Sequence, residues 1–457
     1  VLTRNLSIEE YGIWSLIFTT CSLSLTFTSL GLGGAMSRFL PSISEKKDLE
    51  ESFYSVLFIK LIMSFIIALF FLLFSSYLAN SFFDGRIELV NITALFIVLT
   101  TVQPVYIRLF KILRRIKPLS LMKVIEGYGT VLLYAILFLL GHGLIAILYV
   151  AVTIKVIIIF FMIYLLRSSI GFHWPKFSVL KSYFNYGLPA LPSSISFWIV
   201  NLTDRYIITF LLGTASLGIY TAAYNLGSIP YMVGALINFI MLVALSKLYD
   251  EGKINEVKTH LSYSLKYFFA FTIPFCLGST ICSYQMLKIL TTLEIANSGW
   301  YITPIVALAF SFLGIYNVFK CILLLTKKTR ILGFTWIIAM PLNLVLNILI
   351  LPHIGNIGAA ITTALSYFLA MSIVVYFSLR EFTFNANIWF IFKSIISSII
   401  MIVFILYIQP IDTFQFLLTI LFAIIIYGIS LVMLKGFTKS EYNFAKNLLN
   451  KLLFSHN

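Results

Sequence analysis

Two adjacent charges interrupt an apolar part of the chain in the stretch DRYIITFLLGTASLGIY, residues 204–220. Asp204 and Arg205 follow the apolar run SISFWIVNLT, and a turn rich in glycine and small residues comes after the next apolar residues. A charged side chain at the centre of a bilayer costs about 2.5–3.5 kcal/mol on insertion scales. The pair therefore predicts a membrane helix with one side turned toward protein or water.

Composition places the whole chain in a membrane. The 457 residues are 60% hydrophobic and only 11% charged, and apolar runs long enough to cross a bilayer as helices recur throughout. This pattern predicts an all-α polytopic membrane protein. The net charge of +15 does not indicate a nucleic-acid partner, because the basic residues lie between the apolar runs and form no tract.

We expect thirteen membrane-spanning helices, joined by short connections. Their ranges are 11–37, 53–77, 89–110, 121–141, 144–166, 185–212, 217–244, 262–290, 302–326, 331–351, 357–379, 388–408 and 414–434. Lysine and arginine concentrate on one side, as in RLFKILRRIK (108–117) and KKTR (327–330), whereas the other side carries only Arg4, Arg86 and Lys288. By the positive-inside rule the basic side, which includes the C-terminus, is cytoplasmic.

The chain also contains an internal repeat. LSIEEYGIW (6–14) aligns with LGTASLGIY (212–220) at an offset of 206 residues, and YLLR (164–167) aligns with FSLR (377–380) at an offset of 213. Each half then holds an even number of spans, so the copies are expected to be parallel, related by an axis along the membrane normal. The helix that opens the second copy has no counterpart in the first. We therefore expect fourteen spans in the intact protein, the first being absent from this sequence.

The repeat divides the chain into three predicted domains. An N-terminal helix bundle occupies residues 1–183, a C-terminal bundle occupies 184–385, and two further helices with a cytoplasmic tail occupy 386–457. Within the tail, apolar residues at helical spacing predict a short amphipathic helix at 439–454 on the inner leaflet.

Three stretches carry a family resemblance: LTRNLSIEEYGIWSL (2–16), residues 185–226 beginning NYGLPALPSS, and LNLVLNILILPHIGNIGAAITTALSY (342–367). They resemble the Wzx-type flippases of O-antigen (lipopolysaccharide) and capsule repeat units, in the superfamily that also holds lipid II flippases and multidrug exporters. The resemblance implies two six-helix bundles around a central cavity plus two C-terminal helices. It also implies transport of undecaprenyl-pyrophosphate-linked oligosaccharide to the outer leaflet of the bacterial cytoplasmic membrane, with a polysaccharide polymerase and a chain-length regulator as further partners.

The helix around the charged pair has a polar face. Its members, spaced three or four residues apart, are Ser194, Trp198, Asn201, Arg205 and Thr209. We expect Asn201 and Arg205 to face a wet central cavity and to bind substrate there. Asp204 is a further candidate substrate contact. It points about 100° away from Arg205, so it is also expected to face a neighbouring helix and need not pair with Arg205. A structural ion pair between helices is the alternative.

The next span carries tyrosines on one face. Tyr220, Tyr224, Tyr231 and Asn238 follow helical spacing, interleaved with glycines, and Pro230 is expected to bend the helix. Tyrosine rings suit sugars, because the C–H surface of a sugar packs on the ring while the phenol bonds to sugar hydroxyls. The alternative is helix packing at the glycines together with a tyrosine belt at the membrane interface.

Three further basic residues are candidate substrate contacts. Arg38 closes the cytoplasmic end of its span, where the family usually has a basic residue, whereas Lys60 and Lys155 lie inside spans. Lys60 is near enough to the cytoplasmic end to extend toward water instead. Basic residues outnumber acidic ones within the predicted spans, and Glu126 is one of the few acids there. Lys123 is its expected i,i+3 partner. A basic cavity attracts anions, which suits a pyrophosphate that carries sugars.

Catalytic chemistry has no signature in the sequence. The five histidines have no second ligand at zinc spacing, and there is no glycine-rich ATP loop, so we expect neither an enzyme nor a bound metal or cofactor. The alternatives to a repeat-unit flippase are a flippase of lipid II, teichoic acid or another lipid-linked glycan, a multidrug exporter of the same fold, and a membrane polymerase or ligase. Cationic drugs would favour an acidic cavity, and the two enzymes commonly have a large outer loop or a membrane-embedded histidine.

Overall fold

The structure is a computed structural model that describes residues 2–410, 412–438 and 441, apart from the side chains of Phe239, Ile240 and Val243. Over these residues the chain is helical and contains no strand. The amphipathic helix expected at 439–454 lies outside the described residues, apart from Glu441.

Eighteen α-helices follow one another in the described part of the chain. They are α1 (Leu2–Asn5), α2 (Ile8–Ser29), α3 (Leu32–Phe39), α4 (Lys46–Leu73), α5 (Ser75–Phe82), α6 (Ile87–Ile112), α7 (Ile116–Leu139), α8 (Leu144–Leu166), α9 (Leu180–Gly187), α10 (Leu191–Gly227), α11 (Ile229–Asp250), α12 (Ile254–Leu290), α13 (Leu293–Gly299), α14 (Ile302–Leu325), α15 (Thr329–Ile354), α16 (Asn356–Glu381), α17 (Ile388–Ile408) and α18 (Thr413–Met433). Short 3₁₀ turns lie at Leu40–Ser42, Phe177–Val179 and Leu188–Ala190.

The protein is a multi-pass membrane protein. Within the described residues, 11 helical stretches are long and apolar enough to cross a bilayer, or up to 12 if the bent pair α2 and α3 forms one span. The expected count of thirteen differs because the predicted span 217–244 is divided. Residues 177–227 form one 51-residue helical stretch, and the apolar helix after it is counted only over Ile229–Asn238, which is too short to cross a bilayer. Inside the longer stretch, Gly213 has φ 85° and ψ 172°, which are not helical values, so α10 consists of two helices joined at a kink. The kink lies between the predicted spans 185–212 and 217–244.

Two predicted spans are less regular than the sequence indicated. The span 11–37 bends by 56° between α2 and α3, where Leu30 and Gly31 both have positive φ. The bend brings Gly31 against Gly187, and a Cβ on Gly31 would lie 2.1 Å from the Gly187 carbonyl oxygen. Pro230 does not bend a continuous helix. It lies in the first turn of α11, after the break at Ser228, where its missing N–H removes no helical hydrogen bond.

The chain divides into two compact units, each made of two segments. Unit 1 contains residues 1–222 and 333–366, and unit 2 contains residues 223–332 and 367–457. Unit 1 has an apolar core between α3, α4, α6 and α8 that includes Phe53, Phe110 and Met162. In unit 2, α17 and α18 pack on α12 through residues such as Met401 and Tyr427. The three predicted domains stay a prediction.

Residues matched by the repeat meet inside unit 1. A Cβ on Gly12 would lie 1.9 Å from the carbonyl oxygen of Thr214, and one on Gly218 would lie 2.2 Å from the carbonyl oxygen of Ile8. The offset of 206 residues relates Ile8 to Thr214 and Gly12 to Gly218. The two contacts are therefore reciprocal, as at a two-fold axis. This geometry supports a parallel duplication of the N-terminal part of each copy.

A hydrogen bond lies beside these contacts. Ser15 Oγ and Thr221 Oγ1 are 2.9 Å apart and are again separated by 206 residues. Small residues let helix backbones approach closely in a membrane, and hydroxyl groups then bond across the crossing. The crossing of α2 with the second helix of α10 therefore depends on glycine at both matched positions.

Replacing Gly12 with alanine is expected to destabilise the protein by about 1–3 kcal/mol, because the new Cβ would meet backbone atoms that cannot rotate away. The matched control is Gly127→Ala on α7, where a Cβ has nothing within 4 Å. Thermal unfolding of the purified protein in detergent would show a lower midpoint for Gly12→Ala alone. Equal midpoints for the two variants would contradict this packing.

Candidate functional site

Asp204 is the centre of a buried polar cluster in unit 1. Its side chain is only 1% exposed. The carboxylate accepts hydrogen bonds from the Tyr220 hydroxyl at 2.5 Å and from the Arg205 backbone N–H at 2.9 Å. Tyr220 lies beyond the kink at Gly213, so the two helices of α10 meet at this carboxylate. The neighbouring helix that Asp204 was expected to face is therefore the one that carries Tyr220.

Arg205 is also buried, with 6% of its surface exposed. Its Nη1 lies 3.6 Å from Asp204 Oδ1 and donates a hydrogen bond to the Asn201 carbonyl oxygen at 3.1 Å. The side chain of Asn201 donates to the Phe197 carbonyl oxygen at 2.6 Å. The charges of Asp204 and Arg205 thus lie close enough to offset one another, although both residues belong to the same helix and the structural alternative was an ion pair between helices.

The polar face of the first helix of α10 contacts α2. Trp198 Nε1 donates to Ser22 Oγ at 3.2 Å, and the Tyr206 hydroxyl lies 2.7 Å from Thr20 Oγ1. Trp198 belongs to the face that the spacing predicted, whereas Tyr206 does not. These two hydrogen bonds connect the first helix of α10 to α2 within unit 1.

Lys60 and Arg108 form a basic pair in unit 1. Lys60 is 3% exposed and forms no ion pair with a carboxylate of the described residues. Arg108, on the adjacent α6, donates from Nη1 to the Gly33 carbonyl oxygen at 2.7 Å and to Ser37 Oγ at 2.9 Å. Because α4 and α6 pack together, these two cations lie on neighbouring helices, where like charges repel each other. An anion placed between them would relieve that repulsion.

Lys155 differs from Lys60 because a carboxylate lies beside its ammonium group and offsets its charge. Its Nζ donates to Gln103 Oε1 at 2.8 Å and lies 3.4 Å from Glu126 Oε1, while Gln103 Nε2 donates to both oxygens of Glu126 at 2.9 Å. The expectation that Lys123 pairs with Glu126 is wrong, since Lys123 is exposed and Glu126 pairs with Lys155. The hairpin of α7 and α8 brings the two charges together.

The remaining predicted residues divide between the units. Arg38, at the end of α3 in unit 1, is exposed. In unit 2, Tyr224 is buried with its ring edge-on to Phe310 at 5.4 Å, and Tyr231 is 40% exposed with its ring 5.6 Å from Phe310. Asn238 Oδ1 accepts from Cys321 Sγ at 3.3 Å. Both Phe310 and Cys321 belong to α14, so this face packs on a helix, as in the packing alternative.

The predicted residues therefore form separate clusters. The structure brings together Asn201, Asp204, Arg205 and Tyr220, adds Arg108 to Lys60, and joins Lys155 to Glu126.

Comparison with known proteins identifies the family. A family model described as "Polysaccharide biosynthesis protein" matches residues 1–296. The chain belongs to this polysaccharide biosynthesis family. It is 24% identical to "Probable flippase AglR" of Haloferax volcanii over 268 residues, which are 57% of this chain and 55% of that protein. It is 22% identical to "Probable low-salt glycan biosynthesis flippase Agl15" of the same organism, over 44% of this chain and 42% of that protein. The chain thus spans about half the length of these two relatives.

Solved structures show the fold of this family member. The inward closed conformation of the lipid II flippase MurJ superposes with a TM-score of 0.78 at 19% identity, covering 98% of this chain and 95% of that one. An inward-facing MATE multidrug transporter of the MOP superfamily gives 0.66 at 15% identity, covering 83% and 92%. The all-α transporter fold expected from the sequence is therefore confirmed.

Sequence reasoning missed two clusters in this member of the polysaccharide biosynthesis family. The sequence pattern assigns Arg108 to the basic stretch 108–117 between spans, whereas the structure places it within α6, four residues before the end of that helix. The other cluster joins α15 to α16. Its hydrogen bonds run from Asn343 Nδ2 to Ser366 Oγ at 3.1 Å, from Thr362 Oγ1 to Asn347 Oδ1 at 3.0 Å, and from Asn347 Nδ2 to Asn343 Oδ1 at 3.1 Å. The signal was the spacing of the two asparagines by four residues, which puts both on one helix face.

Proposed function

We propose that this protein is a flippase that moves undecaprenyl-pyrophosphate-linked oligosaccharide repeat units of the O-antigen or capsule type by alternating access. Transport runs from the cytoplasmic to the outer leaflet of a bacterial inner membrane, with the C-terminus in the cytoplasm. Membership of the polysaccharide biosynthesis family, a MurJ-like fold and two relatives described as flippases support this proposal. A polymerase and a chain-length regulator would then use the product outside.

The observation that carries the proposal is the basic pair of Lys60 and Arg108. A buried ammonium group without a carboxylate partner is costly inside a membrane protein, and a neighbouring guanidinium increases the cost. A pyrophosphate offers several charged oxygens that can accept from both groups at once. The cost of burying Lys60 would then be offset when cargo is bound.

We assign different roles to the ten predicted contact residues. Lys60 and Arg205 contact the pyrophosphate, Arg38 and Asn201 contact polar parts of the cargo, and Tyr231 contacts sugar. Asp204 and Tyr220 hold Arg205 in place, since the carboxylate interacts with both. The other three, Lys155, Tyr224 and Asn238, support neighbouring helices through the contacts described above.

A multidrug exporter is the main alternative with the same fold. A cationic drug would need an available carboxylate in the transport path. The two acids within the predicted spans already have partners, Asp204 with Arg205 and Tyr220, and Glu126 with Lys155 and Gln103. This arrangement favours an anionic cargo. It also favours transport over catalysis by a polymerase or ligase, because both carboxylates are used in structural contacts.

Deleting the gene is expected to abolish surface polysaccharide and to leave lipid-linked oligosaccharide on the cytoplasmic leaflet. The measurement is the amount of lipid-linked oligosaccharide in extracted membranes and of glycan at the cell surface, with and without a plasmid copy. Resistance to cationic dyes should not change. Unaltered surface glycan together with increased dye sensitivity would favour the drug exporter instead.

A further inference from the structure

A cavity of 420 Å³ opens in unit 2, and none of the residues assigned to transport lines it. One wall is a single face of α12 that carries Lys258, Ser262 and Lys266, at intervals of four residues. The opposite wall is the connection between α16 and α17, with Asn385 and Asn387. The space is large enough for the headgroup of a lipid or for a small anion.

The cavity is positively charged. Lys258 forms no ion pair with a described carboxylate, and its Nζ lies 5.9 Å from the ring centre of Phe382. Lys266 is 4% exposed, and its Nζ lies 2.7 Å from an oxygen of Glu441. Glu441 thus compensates one of the two lysines. Lys258 remains as a cation available to a ligand.

Hydrogen-bond donors surround this cation. Asn387 precedes the first residue of α17 and has φ 49°, and its side chain makes no capping hydrogen bond to the helix. The side chain instead donates to Ser262 Oγ at 2.8 Å. The first backbone N–H groups of this 21-residue helix therefore have no side-chain cap beside the cavity. Together with the helix dipole, they favour an anion at this end of α17.

The cavity lies at the level expected for lipid headgroups. At 37 residues, α12 is about 55 Å long, which exceeds the hydrocarbon thickness of roughly 30 Å, so its first turns extend beyond the apolar core. Trp389, in the first turn of α17, is exposed, as aromatic residues at a membrane interface often are. Ile388, Phe392 and Ile396 are also exposed and continue along α17 at helical spacing.

We propose that this cavity binds the phosphodiester headgroup of an anionic phospholipid of the bilayer. Lys258 and the N-terminal amides of α17 contact the phosphate, and Ser262 and Asn385 contact the polar part of the headgroup. The acyl chains lie against the exposed apolar residues of α17. The ligand is a resident lipid and is not transported, so the site is separate from the proposed flippase path.

Native mass spectrometry of the purified full chain tests this site. Phosphatidylglycerol should bind at least about tenfold more tightly than phosphatidylcholine, and Lys258→Gln should remove that preference, whereas Lys258→Arg should keep it. The matched control is Lys253→Gln. Lys253 lies just before α12, pairs with Glu251 at 2.7 Å and is not part of the cavity wall.

Two further comparisons separate the possible ligands. Inorganic phosphate, added in the same range of concentrations, should not displace phosphatidylglycerol. If it binds as tightly as the lipid, the site takes a soluble anion and the lipid proposal is wrong. Equal loss of lipid in Lys258→Gln and Lys253→Gln would also overturn the proposal, because it would show attraction by overall charge. Thermal unfolding without added lipid verifies that each variant is folded.

Discussion

Replacing Asp204 with alanine is expected to remove most of the folded protein from the membrane. The change takes away the acceptor of the Tyr220 hydroxyl and the negative charge beside Arg205, both in a buried site. Removing one partner of a buried charge pair typically costs about 3–5 kcal/mol, which is a large part of the stability of most domains. The measurement is the amount of protein in isolated membranes, together with the thermal midpoint after purification.

Matched variants show which interaction is responsible. Tyr220→Phe removes one hydroxyl and should cost about 1–2 kcal/mol, and Asp204→Asn should lie between it and Asp204→Ala because it keeps an acceptor. Adding Arg205→Ala to Asp204→Ala should restore part of the protein level, since no isolated cation is left in this cluster. Such a protein should still fail to export polysaccharide if Arg205 contacts the cargo. Wild-type levels of Asp204→Ala would contradict the structural role of this carboxylate.

Replacing Lys60 with glutamine is expected to reduce export at least about tenfold without lowering the amount of protein. This substitution removes the buried cation of the basic pair, so the fold loses a repulsion with the half-buried Arg108 while the site loses a contact to pyrophosphate. Asp204→Ala is therefore expected to lower the protein level, whereas Lys60→Gln is not. Lys60→Arg should retain part of the export, because it keeps the charge but changes the geometry of donation.

The control for Lys60 is another lysine of unit 1. Lys123 on α7 is exposed, and Lys123→Gln makes the same change in net charge away from the basic pair. Surface polysaccharide and protein level, measured side by side in the three variants, check the prediction. Export at the wild-type level in Lys60→Gln would remove the main support for an anionic cargo.

The sequence predicted the membrane helices and the repeat, because both depend on features that are local. Apolar runs determine which segments lie in the bilayer, and the offset of 206 residues pairs Ser15 with Thr221, which the structure places 2.9 Å apart. Breaks within apolar runs were predicted unevenly. The kink at Gly213 falls in the turn expected between the spans 185–212 and 217–244, whereas the bend at Gly31 changes the backbone without changing its polarity, so the hydropathy pattern continues across it.

Partners of the buried charges were predicted less well, because they depend on which helices pack together. Neighbours on one helix suggested Lys123 for Glu126, but the antiparallel packing of α7 and α8 supplies Lys155. In the same way, Arg108 is 48 positions from Lys60, and only the packing of α4 and α6 brings their charges close. For the tyrosine face, the sequence predicted which residues share the face but not what they contact. Helical spacing alone could not distinguish a sugar from Phe310 as the partner of Tyr224.

The central claim is that this protein moves a lipid-linked glycan across a bilayer. The most direct test reconstitutes the purified protein in liposomes that contain a fluorescent undecaprenyl-pyrophosphate-linked oligosaccharide, and measures how fast the label becomes accessible to an impermeant quencher. The account predicts that the wild-type protein accelerates this exchange over protein-free liposomes, and that Lys60→Gln, at equal protein content, does not. Exchange no faster than in protein-free liposomes, under conditions in which a known flippase is active, would contradict it.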